Sequence, residues 1–350
     1  MSRFLSRRYE NLVPYVPGEQ PQDGAFIKLN TNESPYPPSP LVLERVRDEA
    51  ASLRLYPDPD ARRLRAKLAA HLGVLPENVL VTNGSDEALA FAFLAFFDRD
   101  TPVRFPDITY GFYPVYCNLC GVRADIVPLR EDFTVCVDDY VAVGRPVVLA
   151  NPNAPTGLFL PVSDIERIAA SNPDHIVLID EAYIDFGGES AVPLINKYDN
   201  LLIVGTFSKS RSLAGARIGY AAACAPLIQD LDTIRNSFNP YNLSRTALAA
   251  GEAALDEQAY YTKNCREIAR VRDETAEKLR DLGFIVTDSR ANFLFIRHPE
   301  RSGHDLYAEL RARGILVRWF NLPRISDYLR VTVGTAEQMD IFVDTIRAII

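Results

Sequence analysis

The chain reads as an α/β protein with a mostly parallel sheet sandwiched by helices, followed by a smaller α+β part. Three observations predict this. Five short apolar runs, at residues 79–82, 103–105, 146–150, 176–179 and 201–204, lack helical spacing and lack a polar face, as strands buried on both sides do. Each run gives way to a polar, proline-bearing or glycine-bearing turn, so the chemistry-bearing residues stand at strand ends, where ligands bind in open sheets. Beyond Gly283 the order becomes strand, strand, helix, strand, strand, helix, which marks a second, smaller unit.

Taken in order, the segment up to about residue 22 contains Pro14, Pro17 and Pro21 and no sustained period, so it is expected to be an arm lying across something larger. Residues 28–40 pass from a short strand into a rigid proline-rich turn that holds Asn30, Asn32 and Glu33. Segments 41–53 and 61–72 have helical spacing, the second capped by Asp60 and stopped by Gly73. Its Arg62, Arg63, Arg65 and Lys67 read as a solvated helix face. Strand 79–82 runs through Asn83-Gly84-Ser85-Asp86-Glu87 into an apolar helix. Free backbone N–H groups and the positive helix end there converge on one spot, a cradle suited to phosphate.

Tyr110, at a loop-to-helix start after 103–105, is placed to stack on a flat ring. After 146–150, two prolines and a glycine between Asn151 and Gly157 fix Asn153 as a hydrogen-bonding amide. Asp180 ends the run 176–179 and is followed by Tyr183; the carboxylate is either a helix cap or the partner of a buried cation. The run 201–204, closed by Gly205, delivers Thr206, Ser208 and Lys209, then Arg217 between Gly215 and Gly219. A lysine in a partly apolar pocket sheds its proton and attacks a carbonyl, whereas arginine stays charged and offers a planar fork. Lys209 is therefore the candidate nucleophile and Arg217 the candidate phosphate clamp. Residues 220–224 return to the sheet. Helices are expected over 226–236, 243–255 and 258–282, then strands 284–287 and 292–297, helix 305–313, strands 315–317 and 328–333, and helix 339–350 behind a Thr335/Gln338 capping box.

A length of 350 residues accommodates two domains. The net charge of -8 gives no long-range attraction to nucleic acid or an anionic membrane, so any anion site must be local. The longest strongly apolar stretch, 88–97, is about half a membrane span, and the first residues lack a secretory apolar segment, so a cytoplasmic protein is expected. Cys117 and Cys120 have no second pair to complete a zinc site; free buried thiols and no metal are expected.

A ligand that uses all these strand ends is flat, phosphorylated, carries a basic ring nitrogen for Asp180, a phenolic oxygen for Asn153 and Tyr183, and an aldehyde for Lys209. Pyridoxal 5'-phosphate has each of these groups. The pieces Leu29-Asn-Thr-Asn-Glu, Tyr56-Pro, Asn83-Gly-Ser-Asp-Glu, Thr109-Tyr-Gly, Asn151-Pro-Asn-Ala-Pro-Thr-Gly, Asp180-Glu-Ala-Tyr, Ser208-Lys with Leu213-Ala-Gly-Ala-Arg, and Leu329-Arg-Val-Thr-Val-Gly-Thr resemble, in order and spacing, the fold-type I pyridoxal-phosphate aminotransferases, and within them the histidinol-phosphate aminotransferase family.

The resemblance implies a large domain with a seven-stranded-type, mostly parallel sheet. It implies an arm and small-domain contribution over 1–40, a large cofactor-binding domain over 41–240 and a small domain over 241–350. It implies that Lys209 bonds the cofactor's aldehyde carbon and moves the substrate proton, with Asp180 at the ring nitrogen, Asn153 and Tyr183 at the ring oxygen and Tyr110 stacked on the ring. Gly84, Ser85, Asp86, Thr206, Ser208 and Arg217 then hold the phosphate. Tyr56 reaches the phosphate of a neighbouring subunit, which implies a homodimer with shared sites. Substrate contacts fall on Tyr15, Asn32, Arg318 and Arg330, for transfer between L-histidinol phosphate and 2-oxoglutarate that gives imidazole acetol phosphate and L-glutamate in histidine biosynthesis. The rivals are an aromatic amino-acid aminotransferase, a threonine-phosphate decarboxylase and a non-catalytic regulator; the intact Lys209, Asp180, Tyr183 and Arg217 speak against the last. One departure is Arg318-Trp319-Phe320, where an aromatic pair follows the arginine.

Overall fold

A computed structural model describes residues 2–10, 12–21 and 26–350. The expected end of the arm near residue 22 lies outside the described residues. The chain runs β1 (Ile27–Lys28), α1 (Pro40–Ala50), α2 (Arg62–Leu72), β2 (Val79–Thr82), α3 (Ser85–Phe96), β3 (Val103–Pro106), α4 (Tyr113–Cys120), β4 (Ala124–Val127), β5 (Val147–Ala150), α5 (Val162–Ser171), β6 (Val177–Asp180) and β7 (Leu201–Thr206). It continues through β8 (Gly219–Ala223), α6 (Ala225–Phe238), α7 (Arg245–Asp256), α8 (Gln258–Asp281), β9 (Ile285–Val286), β10 (Phe293–Arg297), α9 (Gly303–Ala312), β11 (Ile315–Leu316), β12 (Arg318–Trp319), β13 (Leu329–Thr332) and α10 (Ala336–Arg347).

Seven strands form one sheet in the order β2-β8-β7-β6-β5-β3-β4, parallel except for β8, which runs against both β2 and β7. The apolar runs are continuous because both faces are covered. Leu178, Leu202 and Val204 meet α3 and α6 through Phe91, Phe93, Ile228 and Leu231, while Val177, Ile179, Leu201 and Ile203 meet Ile165 and Ile168 of α5. A four-stranded antiparallel sheet, β12-β13-β10-β9, carries α8, α9 and α10 on its buried side through Val271, Leu306 and Phe342. β1 pairs in parallel with β11, Ile27 opposite Ile315, which ties the residues after the arm to the C-terminal part. Helix α7 packs on α1 and α2, in the same core as Val79 and Val81.

Several local expectations need correction. Gly205 does not close β7: it lies inside the strand, paired with Tyr220 of β8, whose ring would stand 2.2 Å from a Cβ at this position. Asp60 does not cap α2; the Asp58 carboxylate accepts the Arg62 N–H at 3.1 Å, and Ala61 turns left-handed at φ 45°. The strand β12 escaped notice because it is only two residues long. The edge strand β4 did so because its residues are half exposed and carry Asp125. By contrast Gly73 and Gly283 end their helices at positive φ, the Thr335/Gln338 box is present, and all five cysteines are free, although only Cys117 and Cys265 are buried and Cys120, Cys136 and Cys224 are partly exposed. The basic face of α2 is a surface face, with Arg62, Arg63 and Lys67 paired to Asp58, Glu252 and Asp256. Among the described residues no helix is long and apolar enough to cross a membrane.

Candidate active site

A cavity of about 390 Å³ opens at the carboxyl ends of β5, β6 and β7, and the arm and β12–β13 wall its far side. This volume suits a small cofactor with a substrate. Its lining brings together Tyr15, Asn32, Ser85, Asp86, Tyr110, Asp180, Tyr183, Thr206, Ser208, Lys209, Arg217, Arg318 and Arg330, residues spread from the arm to the C-terminal part.

The anion cradle is made by close approach. Gly84 enters α3 at φ 76°, and a Cβ on Gly219 would come within 2.3 Å of the Ser85 nitrogen, so β8 can abut the helix start only as glycine. The first N–H groups of α3, from Ser85 and Asp86, have no intrahelical acceptor. Arg217, left-handed at φ 53°, extends one amine to Ser208 Oγ at 3.4 Å and the other to Asp86 Oδ2 at 3.2 Å. Thr206 Oγ1 donates to Ser208 Oγ at 2.9 Å and accepts the Ser208 N–H at 3.1 Å, which fixes the turn that carries Lys209.

Asp180 is buried at the end of β6, where Tyr113 donates to Oδ2 at 3.1 Å and the Ala182 N–H to Oδ1 at 3.2 Å. Burial pushes its carboxyl up to about 6 despite these bonds. Among the described residues it has no ion-pair partner, and its bonds are to Tyr113 and the Ala182 N–H. Lys209 Nζ donates to the Thr31 carbonyl at 3.2 Å, and burial, assisted by Arg330, draws its pKa down to about 8. Tyr183 accepts from Asn32 Nδ2 at 2.9 Å and stands edge-on to Phe293.

At the far side Arg330 donates to the Asn30 carbonyl at 3.0 Å, while its buried Nε has no hydrogen-bond partner among the described residues. Arg318 holds the arm by donating to the carbonyls of Val16 at 3.0 Å and Pro17 at 3.2 Å. Tyr15 stacks on Phe112 at 4.6 Å, and Asn30 Nδ2 donates to the Glu19 carbonyl at 2.8 Å, so the arm lies across the cavity mouth.

Three expected residues stand apart. Asn153 does not line the cavity: its amide donates to the Ile108 carbonyl at 2.9 Å and to Thr156 Oγ1 at 3.1 Å. Gly84 shapes the cradle from behind. Tyr56 is 78% exposed, stacked on Tyr241 at 4.6 Å beside a surface recess that Arg217 also lines. The sequence reading missed Tyr113 as the donor to Asp180; the aromatic run after Tyr110 was its only signal.

The donor set fits pyridoxal 5'-phosphate: an N–H, hydroxyl and guanidinium cradle for phosphate, a buried acid with no counter-ion among the described residues for the ring nitrogen, a phenol, and a lysine with a depressed pKa between them. An α/β fold with these groups at its strand ends is that of a cofactor-dependent group-transfer enzyme. The family description Aminotransferase class I and II matches residues 25–346, and the chain belongs to that family. It is 51% identical to the histidinol-phosphate aminotransferase of Aromatoleum aromaticum, and 50% to histidinol-phosphate aminotransferase 1 of Bradyrhizobium diazoefficiens, each over the full length of both chains. The crystal structure of histidinol-phosphate aminotransferase from Sinorhizobium meliloti in complex with pyridoxal-5'-phosphate superposes with a TM-score of 0.84 at 27% identity, over 92% of this chain and 91% of that one.

Proposed function

We propose that the protein transfers the amino group of L-histidinol phosphate to 2-oxoglutarate, giving imidazole acetol phosphate and L-glutamate in histidine biosynthesis. The full-length similarity to enzymes of that name supports the reading. The observation that carries it is the Arg318–Arg330 pair facing Lys209 across one cavity with no carboxylate partner among the described residues. Two planar donors that meet only neutral backbone carbonyls keep their charge for an anion, which suits a phosphate ester in one half-reaction and a dicarboxylate in the other.

Bound pyridoxal phosphate supplies an electron-withdrawing ring that takes up the electron pair left when a proton leaves the amine-bearing carbon. The residues of this chain do the rest. With a pKa near 8, Lys209 has a share of neutral amine close to neutral pH, so its Nζ can take that proton from the carbon and then hand it on. Ionised beside a ring N–H, Asp180 holds the positive charge in place, and Tyr113 orients the carboxylate. Tyr183 keeps its hydroxyl hydrogen for a ring oxygen because it accepts from Asn32. Arg330 and Arg318 bind the acid group, with Tyr15 beside them on the arm that excludes water.

The aromatic-substrate reading loses its wall, since Trp319 turns away to pack on His304 and Tyr307 and donates from Nε1 to the Ser326 carbonyl at 2.7 Å. We place the cofactor-holding part at 41–240 and the smaller part at 241–350, in a cytoplasmic homodimer whose exposed Tyr56 completes the partner's site. Specificity constants for histidinol phosphate, phenylalanine and O-phosphothreonine with 2-oxoglutarate test the function. We expect glutamate formation led by histidinol phosphate. Comparable values for phenylalanine would overturn the substrate, and carbon dioxide release from O-phosphothreonine would make the protein a lyase.

A further inference from the structure

The aromatic pair after Arg318 divides its work. Trp319 faces α9, but Phe320 lies beneath the acid-binding arginines: the Arg318 guanidinium carbon is 5.5 Å and that of Arg330 is 5.6 Å from its ring centre. Phe293 takes Arg330 from a second side at 5.4 Å. Two cations this close repel, and a carboxylate between them would relieve the repulsion only by competing with the substrate's own acid group. An aromatic face attracts a cation through its quadrupole and offers no acceptor oxygen, so it offsets the repulsion without adding an anion that would compete with the substrate. Phe320 is also well fixed. It packs against the cluster of Ile108, Leu129, Phe133, Phe295 and Ile325, which spans both parts of the chain. The loop that follows it is pinned by Arg324, which donates to Asp107 Oδ2 at 2.7 Å and to the carbonyls of Leu129 at 2.8 Å and Arg130 at 2.9 Å.

We propose that Phe320 is the positioning residue behind the pocket's preference for a doubly charged acid group, its ring holding Arg318 and Arg330 together without a carboxylate to neutralise them. Phe320 does not line the cavity and acts through the two arginines. The proposal rests on the phosphate-ester substrate put forward above.

The test compares cofactor-loaded wild type with Phe320→Leu, Phe320→Met and Phe320→Tyr, on histidinol phosphate and on phosphate-free histidinol. For the Leu and Met proteins, kcat/KM for histidinol phosphate falls about tenfold, carried by KM, which is the scale of losing two partly desolvated ring contacts. Turnover of histidinol stays within about twofold, and competitive inhibition by inorganic phosphate weakens in step with the first substrate. The Tyr protein, which keeps the ring, stays near wild type. The two substrates falling together, or neither falling, or a Tyr protein as impaired as Leu, would each overturn the role of the ring. A wild type that uses histidinol as well as its phosphate would instead overturn the substrate reading on which the proposal stands.

Discussion

At the Lys209 end of the cavity every functional side chain hangs from a turn at a strand end of one sheet, whereas at the arginine end Tyr15, Asn32, Arg318 and Arg330 come from the arm, the turn after β1, β12 and β13. Polar groups at the first end satisfy one another: Thr206 with Ser208, Arg217 with Asp86 and Ser208, Tyr113 with Asp180. At the second end Arg330 has a buried nitrogen with no partner among the described residues, and Arg318 is lent to two arm carbonyls. The difference matches the tasks. A resident cofactor needs one fixed geometry, while a site that accepts two acids in turn needs donors that are held in place and still free.

The largest effect should come from the first end. Lys209→Ala is expected to cut turnover by about 10²- to 10⁴-fold, while cofactor stays bound through the cradle. Single-turnover kinetics and absorbance read the two outcomes separately.

Asp180→Asn should act on stability in the cofactor-free protein. The native carboxyl titrates near 6 against an ordinary value of 3.8, so between those pH values the folded state holds a proton that the unfolded state has lost. Stability is therefore retained below about pH 4 and lost as pH rises through about 6, by about 3 kcal/mol. The Asn protein escapes this loss, so its advantage in Tm over wild type grows across that window and is flat above it. An advantage that does not change with pH would mean Asp180 has a counter-ion.

At the second end Arg330→Leu should lower kcat/KM for histidinol phosphate by about 2 to 3 kcal/mol, the worth of hydrogen bonds to a charged group, with the largest change in KM. A smaller effect is expected at the surface. Co-refolding Tyr56→Phe with Lys209→Ala protein should restore one intact site per mixed dimer, about a quarter of wild-type sites in an equal mixture. Activity equal to the sum of the separate proteins would place Tyr56 outside the partner's site.

The contrast also explains what was legible in the sequence. Gly84-Ser85-Asp86, Asp180 and Thr206 to Arg217 are contiguous, and a strand followed by a polar turn already says where such residues point, so the cofactor end was readable residue by residue. Short-range detail was less legible: Asp58 acts in place of Asp60 at the start of α2, and the Asn153 amide donates to the Ile108 carbonyl and Thr156 Oγ1. Where Phe320 and Trp319 face could not be read, because β12 is two residues long and alternation alone does not say which side meets α9. Tyr113 was hidden for a related reason: a phenol in an apolar helix looks like core until the acid it donates to is placed opposite.

The claim that the two ends work separately is tested most directly by titrating cofactor-free Arg217→Leu and Arg330→Leu proteins side by side with pyridoxal phosphate. Loss of the cradle arginine should weaken cofactor binding by at least about tenfold, the lower bound for a charge-assisted bond. Loss of the acid-binding arginine should leave the cofactor dissociation constant within about twofold of wild type. Equal weakening in both proteins would contradict the account.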